Sequence, residues 1–176
     1  MLEEWWSVTD RQTADENLDW LLNEGHRLTF VEDVTTFEEV GIQDVPAEER
    51  AALILENYIM TEDEAAQWAE WYNAYEQYGE NALAGWDYSR AMSVLSNYYV
   101  AGYYTQEEAL DKSLEVAATI QASFDSWEAF MESYFLGYEY WAEESSDERR
   151  AVYEEIKQAS DSPYNLDWNL TLEKTW

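Results

Sequence analysis

The chain contains no cysteine, and this absence excludes disulfide bonds, thiol catalysis and zinc sites built on cysteine. His26 is the only histidine, so the two-histidine zinc motif H-E-x-x-H cannot form. Neither of the glycine-rich loops that hold nucleotide phosphates occurs among the 6 glycines, and the hydrolase motif G-x-S-x-G is also absent. We therefore expect no cofactor. We interpret His26, which follows Gly25 at a predicted helix end, as a structural or capping residue.

Basic residues are scarce as well. The sequence has 9 Lys and Arg against 39 Asp and Glu, which gives a formal net charge of −30. Nucleic acid is bound through clustered positive charge, and anionic membranes attract basic segments, so we expect neither as a partner. The acidic residues run through both halves of the chain instead of forming a tail. A surface of this kind attracts basic proteins and speeds their association.

Long apolar runs are missing too. No segment approaches the roughly 20 apolar residues that a membrane span needs. The first residues, MLEEWWSVTDRQ, carry no basic region followed by an apolar stretch, so no secretory signal is visible. Together with the lack of cysteine, which fits a reducing compartment, this pattern leads us to expect a cytoplasmic protein.

The sequence pattern predicts a mostly helical chain. The pattern Ser/Thr-x-x-Glu, in which the two side chains cap the same helix end, recurs at Thr13, Thr61, Thr105 and Ser145. Pro46 suits the first position of another helix, and Ser126 can cap the aromatic-rich segment behind it. We predict one helical domain over residues 1–176, an all-α compact bundle of seven to eight short helices. The alternating apolar residues after Pro163 predict an extended C-terminal segment laid across the bundle.

Aromatic residues are abundant, with 10 Trp and 14 Tyr. Two stripes at helical spacing, Trp68–Tyr78 and Trp127–Trp141, are most simply core. The functional alternative is a binding groove or interface, because Trp and Tyr anchor many binding hot spots.

Carboxylate pairs such as Glu107-Glu108 are frequent, and with this composition chance supplies most of them. The segment GWDYSRAM is more distinctive, because Asp87 lies one helical turn before Arg90 and next to Trp86. A buried arginine needs a carboxylate of this kind, so we favour a structural pair in which Asp87 also caps its own helix. The alternative, an arginine that binds a ligand, stays open.

Several segments resemble a bacterial family of domains of unknown function, number 1266. They are Gly85–Met92, Ala101–Ala109 and Ser126–Trp141, together with the blocks WWSVTDRQTADENLDWLLNEGHR and SPYNLDWNLTL near the two ends. The resemblance covers most of the chain and implies a mostly helical domain, but it implies no activity. The positions that match the family pattern are Trp86, Asp87, Arg90, Gly102, Tyr103, Glu107, Glu108, Ala109, Ser126, Trp127, Phe130 and Gly137.

Three functions fit the sequence. The first is a non-enzymatic acidic module that binds a basic protein, as an immunity-like inhibitor of a toxin or nuclease or as a DNA mimic that sequesters DNA-binding proteins. The second is an enzyme that uses carboxylates and a divalent metal, and the third is a surface made acidic for solubility alone. We favour the first. The candidate partner-binding residues are Trp86, Asp87, Arg90, Tyr103, Glu107, Glu108 and Trp127.

Overall fold

The computed structural model describes residues 2–176 and confirms an all-α fold. Within this range the chain forms nine α-helices and four short 3₁₀ segments, and no β-strand. The α-helices are α1 (Leu2–Trp6), α2 (Arg11–Asn23), α3 (Gly25–Thr35), α4 (Arg50–Asn57), α5 (Glu62–Tyr78), α6 (Asn81–Val100), α7 (Gln106–Ser123), α8 (Trp127–Ala142) and α9 (Asp147–Gln158). The 3₁₀ segments are Thr36–Val40, Ile42–Asp44, Ala47–Glu49 and Pro163–Asn165.

Two of the four predicted capping boxes form as expected. Thr61 and Thr105 each accept a hydrogen bond from the backbone N–H three residues later, and the Glu at that position accepts one back from the cap. Ser126 likewise caps α8. The prediction at Thr13 was wrong, because Asp10 is the cap and Thr13 is its partner three residues on.

The prediction at the last helix was displaced by one residue. Ser146 occupies the cap position of α9, and the Ser145 hydroxyl accepts a hydrogen bond from the backbone N–H of Asp147. Other boundaries also moved. The segment after Pro46 begins as a 3₁₀ turn before α4, and α6 begins five residues before Trp86. Short polar and small residues at these ends allow more than one start, and tertiary packing selects between them.

The buried side chains form two clusters that meet along α6. One cluster joins α2 to the middle of α6, α7, α8 and α9, with Tyr98 and Phe135 at its centre. The other joins α3, α4 and α5 to the start of α6, with Phe30 and Trp71 among its members. Because α6 supplies side chains to both clusters, it is the central helix of the bundle.

The contact between α6 and α8 depends on two glycines. A Cβ at Gly85 would meet the Phe130 carbonyl oxygen, and a Cβ at Gly137 would overlap Trp86. Ser133 lies between them, where its hydroxyl accepts from the Gly85 N–H at 2.8 Å and donates to the Asn81 carbonyl at 2.7 Å. The missing side chains therefore let the two helix backbones approach closely.

The chain after α9 follows α7 as an extended segment, as predicted, but without forming a strand. Gln121 donates to the Trp168 and Leu170 carbonyls at 2.6 and 3.0 Å. Near the end of the chain, Lys174 forms ion pairs with Glu107 and Asp111 on the first turns of α7. Side chains of α7, instead of a neighbouring strand, satisfy part of this backbone.

Within residues 2–176, no helix combines the length and the apolar character that crossing a bilayer requires.

Candidate functional site

Asp87 is a residue of α6, and its side chain is fully buried. The carboxylate lies against the start of α3, where it accepts four hydrogen bonds. The backbone N–H groups of His26 and Arg27 donate to its two oxygens at 3.0 and 3.1 Å. The Arg27 guanidinium donates to Oδ2 at 3.3 Å, and the Arg90 guanidinium donates to Oδ1. Asp87 therefore caps α3. Our expectation that it caps its own helix was wrong, because α6 has already begun at Asn81.

The two arginines are held by more than this carboxylate. Arg27 also donates to the carbonyls of Leu21 and Leu22 at the end of α2, at 3.0 and 2.6 Å. Arg90 stacks over Trp86, with its guanidinium carbon 4.7 Å from the ring centroid, and contacts two further indole rings, those of Trp6 and Trp20. The centre thus ties α1, α2, α3 and α6 together.

Opposing influences act on the Asp87 carboxyl. Burial raises its pKa, but the positive charge of Arg90 and the backbone N–H groups of His26 and Arg27 outweigh burial and lower the pKa below the ordinary value of 3.8. Asp87 is therefore ionised at neutral pH. Both of its oxygens are engaged by the protein's own donors.

His26 begins α3 instead of ending α2, so our dipole argument for it was wrong in direction. The Arg90 guanidinium lies 2.8 Å from the His26 Nδ1. Guanidinium can only donate, so Nδ1 accepts and the imidazole carries its proton on Nε2. The ring packs edge-on against Trp20, with centroids 5.2 Å apart.

The other predicted residues lie elsewhere and hold the C-terminal segment and α2 in place. Glu108 completes the α7 capping box and pairs with Arg11 at 2.9 Å, and the Thr105 backbone N–H together with Arg11 lowers its pKa. The Tyr103 carbonyl accepts from the same Arg11. Glu107 pairs with Lys174, and the Trp127 indole donates to the Leu166 carbonyl at 2.9 Å. Their proposed role in partner binding stays a prediction.

If Asp87, Arg90 and Glu107-Glu108 met in space, they would be the candidate residues of a metal-dependent enzyme, but the structure does not bring Asp87 and Glu107-Glu108 together. Arg11, which holds Glu108, begins α2, whereas the Asp87 centre lies past the end of that helix. A helix of 13 residues is about 20 Å long, so the two blocks lie far apart. Within residues 2–176, no group of three or more His, Asp or Glu is placed to hold a metal ion.

The few cations of this protein are largely neutralised by its own carboxylates. Seven of the nine Lys and Arg residues make an ion pair within the described part of the chain. Arg149 and Lys112, which complete the nine, lie over the rings of Tyr138 and Tyr104. The carboxylates that remain are therefore not offset by a built-in cation.

One concave region collects such carboxylates around aromatic rings. We call it the cage groove. It has a volume of about 790 Å³ and lies between α3, α5 and the end of α8. Its lining residues are His26, Asp33, Glu64, Gln67, Trp68, Glu70, Trp71, Glu139, Tyr140, Trp141, Glu143, Glu144 and Ser145.

The aromatic rings of the cage groove stand nearly at right angles. Trp68 and Trp71 have centroids 4.8 Å apart and planes at 88°, and Trp71 and Tyr140 are 5.5 Å apart at 77°. Trp141 is 47% exposed at the rim. Rings at these separations pack edge to face against one another, and Trp71 is buried. The rings that a cation can reach are therefore the partly exposed Trp68, Tyr140 and Trp141.

The carboxylates of the cage groove have no ion-pair partner among the Lys and Arg of residues 2–176. Four of them are fixed by other donors: Asp33 accepts from the Tyr140 hydroxyl, Glu64 caps α5, Glu139 accepts from Ser146, and Glu144 accepts from the Tyr138 hydroxyl. Glu70 and Glu143 are exposed at the rim, and Glu143 ends α8 with a positive φ of 54°. The groove thus offers negative charge and ring faces to a cation.

Sequence reasoning missed the cage groove because its parts are far apart in the chain. The stripe at Trp68–Tyr78 was interpreted mainly as core, and Trp71 and Tyr72 are indeed buried. The pattern that could have predicted the groove is the presence of Glu64 and Glu70 among the aromatic residues of this stripe. It places carboxylates beside aromatic rings on the same helix.

The described residues form a compact helical domain with an acidic groove that is lined in part by aromatic residues. The chain belongs to the family described as protein of unknown function DUF1266, whose pattern matches residues 1–168. The resemblance found from the motifs is thereby confirmed. No curated protein and no solved structure matches the chain.

Proposed function

We propose that this protein is a non-enzymatic binding module that captures a basic protein, as an immunity protein captures a toxin or nuclease. The observation that supports the proposal is the cage groove, in which aromatic walls and unpaired carboxylates meet. An arginine or lysine side chain of a partner supplies the cation that the groove lacks, and the acidic exterior steers the partner towards it.

The same observation favours an inhibitor over a mimic of DNA. A DNA mimic needs carboxylates spaced like phosphates over an extended surface, whereas the cage groove is a single recess with aromatic walls. A single recess suits one projecting side chain at the centre of an interface. Such a side chain is the usual hot spot of a tight complex.

The first test uses a small cation. Ethylguanidinium is titrated into the protein, and the indole N–H signals of the ten tryptophans are followed by NMR. We expect shifts at Trp68, Trp71 and Trp141 that weaken as salt rises, because screening reduces the attraction. The double variant Glu70→Gln/Glu143→Gln should lose them.

The matched control is Glu154→Gln/Glu155→Gln, which removes the same charge from exposed positions of α9 outside the groove. If the control loses the shifts to the same extent, general charge accounts for the binding and the cage groove has no special role.

The second test concerns the partner. The wild-type protein and the Glu70→Gln/Glu143→Gln variant are used in parallel to retain proteins from the native host. We expect a basic protein that only the wild type retains, and whose own activity is blocked in the complex. Equal retention by both proteins would contradict the proposal.

A further inference from the structure

A second concave surface adjoins the cage groove. We call it the apolar groove. It has a volume of about 1140 Å³ and lies between α6, α7, α8, α9 and the C-terminal segment. Its walls are mainly hydrophobic, and Met92, Phe130, Val152, Ile156, Leu166 and Leu170 are among its lining residues.

The apolar groove exposes aliphatic side chains from two separate elements. Val152 on α9 and Leu166 and Leu170 on the C-terminal segment are more than half exposed, although all line one recess. Single exposed apolar residues are normal, whereas several that converge on a recess mark a place where another molecule is bound.

The rim of the apolar groove is acidic. Glu144, Asp147, Glu148 and Asp167 line it, against a single cation, Arg149. The Arg149 guanidinium is 3.9 Å from the centroid of Tyr138 and donates to the Tyr134 hydroxyl at 2.8 Å. The rim therefore carries an excess of negative charge around an apolar interior.

This charge pattern selects between possible occupants. A second copy would bring another net charge of −30 against the same acidic rim. An anionic amphiphile such as a fatty acid would meet four carboxylates against one guanidinium. An amphipathic helix with basic flanks satisfies both features, because its apolar face fits the interior and its Lys or Arg side chains meet the rim.

The two grooves are adjacent, since Glu144 and Ser145 line both. A partner segment in the apolar groove therefore lies next to the cage groove. We propose that the apolar groove binds an amphipathic, basic helix of the same partner that the cage groove anchors. This inference rests on the proposed function and names the structural class of the partner segment.

The test uses three synthetic peptides of about 18 residues, long enough to form a helix on binding. The first places Leu at helical spacing on one face and Lys on the other. The second has the same composition in an order that spreads Leu around the helix, and the third replaces Lys by Glu. Binding is measured by calorimetry, and helix formation is followed by circular dichroism.

The protein variants target exposed side chains, so their folds should be retained. Val152→Ser/Leu166→Ser removes apolar surface from the groove. The control, Ile59→Ser/Val100→Ser, removes aliphatic residues that are still more exposed and do not line it. We expect the first peptide to bind as a helix, about tenfold more weakly to the groove variant, and with unchanged affinity to the control.

Three results would overturn the inference. Equal binding of the reordered peptide would mean that charge alone attracts it, and equal binding of the Glu peptide would mean that the rim plays no part. Dimerisation of the free protein in sedimentation experiments, abolished by Val152→Ser/Leu166→Ser, would assign the groove to a second copy.

The outcome is separable from that of the proposed function. Peptide binding that depends on Glu70 and Glu143 but not on Val152 and Leu166 would refute the apolar groove and leave the cage groove standing. Peptide binding that depends on Val152 and Leu166 would support the role of the apolar groove. If ethylguanidinium also left the tryptophan signals of the cage groove unshifted, the proposed role of the cage groove would be refuted.

Discussion

At the scale of single residues, Asp87 makes more interactions that hold the fold together than any other carboxylate in the described chain. It accepts hydrogen bonds from two backbone N–H groups at the start of α3. Its negative charge also pairs with two buried arginines, Arg27 and Arg90. Buried charges are stable only when such partners are complete. The motif W-D-x-x-R is therefore a structural centre.

We expect Asp87→Asn to lower the free energy of unfolding by about 3–5 kcal/mol, because Arg90 then has no counter-charge and Arg27 keeps only the exposed Glu80, 3.7 Å away. Chemical denaturation measures the loss. Glu132→Gln is the control, since it removes the partner of Arg150 at an exposed site and should cost less than about 1 kcal/mol. A similar loss for both variants would show that burial adds nothing.

Gly25 offers a sharper comparison. Gly25 and Gly79 both have positive φ angles, 61° and 59°, so alanine is strained at either site. A Cβ at Gly25 would also overlap the Asp87 carboxyl group, whereas nothing lies within 4 Å at Gly79. We expect Gly25→Ala to destabilise the protein clearly more than Gly79→Ala, as judged by their melting temperatures. An equal fall in melting temperature for the two variants would show that the destabilisation comes from backbone strain alone.

At the scale of elements, the close contact of α6 with α8 organises the molecule. α8 carries Tyr140 and Trp141 to the cage groove on one side and Phe130 to the apolar groove on the other. The position of α8 against α6 therefore sets the geometry of both recesses. Gly137 permits that position because it faces Trp86 without a side chain.

Gly137→Ala tests this role. The added methyl group overlaps Trp86, so α8 has to move, and overpacking of this kind costs about 1–3 kcal/mol. Near-ultraviolet circular dichroism, which reports on the packing of tryptophan, should change together with stability. An unchanged spectrum with unchanged stability would show that the contact can absorb a methyl group without movement of α8.

At the scale of the whole molecule, buried tyrosines limit stability in alkali. Burial raises the pKa of Tyr72 to about 12, and burial with nearby acidic residues raises those of Tyr98, Tyr104 and Tyr140 further above the ordinary value of 10.0. The folded state thus keeps phenolic protons that the unfolded chain releases. The stabilisation is complete below pH 10.0 and is lost as the pH rises from there towards the folded values.

We expect the denaturation midpoint to fall steeply above pH 10.0, together with delayed ionisation of tyrosine in the ultraviolet spectrum of the folded protein. Tyr98→Phe should reduce the slope of this fall, although it also removes the 2.6 Å hydrogen bond to Asn17. Tyr99→Phe, at an exposed neighbouring position, serves as the control. A midpoint that does not depend on pH in this range would contradict the assignment.

Local patterns in the sequence determined the helical class, several helix ends and the acidic character. Capping boxes at Thr61 and Thr105 and the stop at Gly79 follow from interactions within a few residues, so the sequence alone predicts them. Net charge and the scarcity of cations are likewise properties of composition. The family resemblance came from motifs whose residues prove to hold the helices together.

Only the tertiary structure decided which carboxylates are buried and which lie beside aromatic rings. Asp87 caps α3 because the fold brings residues 60 positions apart into contact, and no local pattern carries that information. The cage groove combines α3, α5 and α8, and the apolar groove combines four helices with the C-terminal segment. Which rings remain exposed beside which carboxylates depends on how α8 crosses α6, and that crossing is a property of the packed bundle.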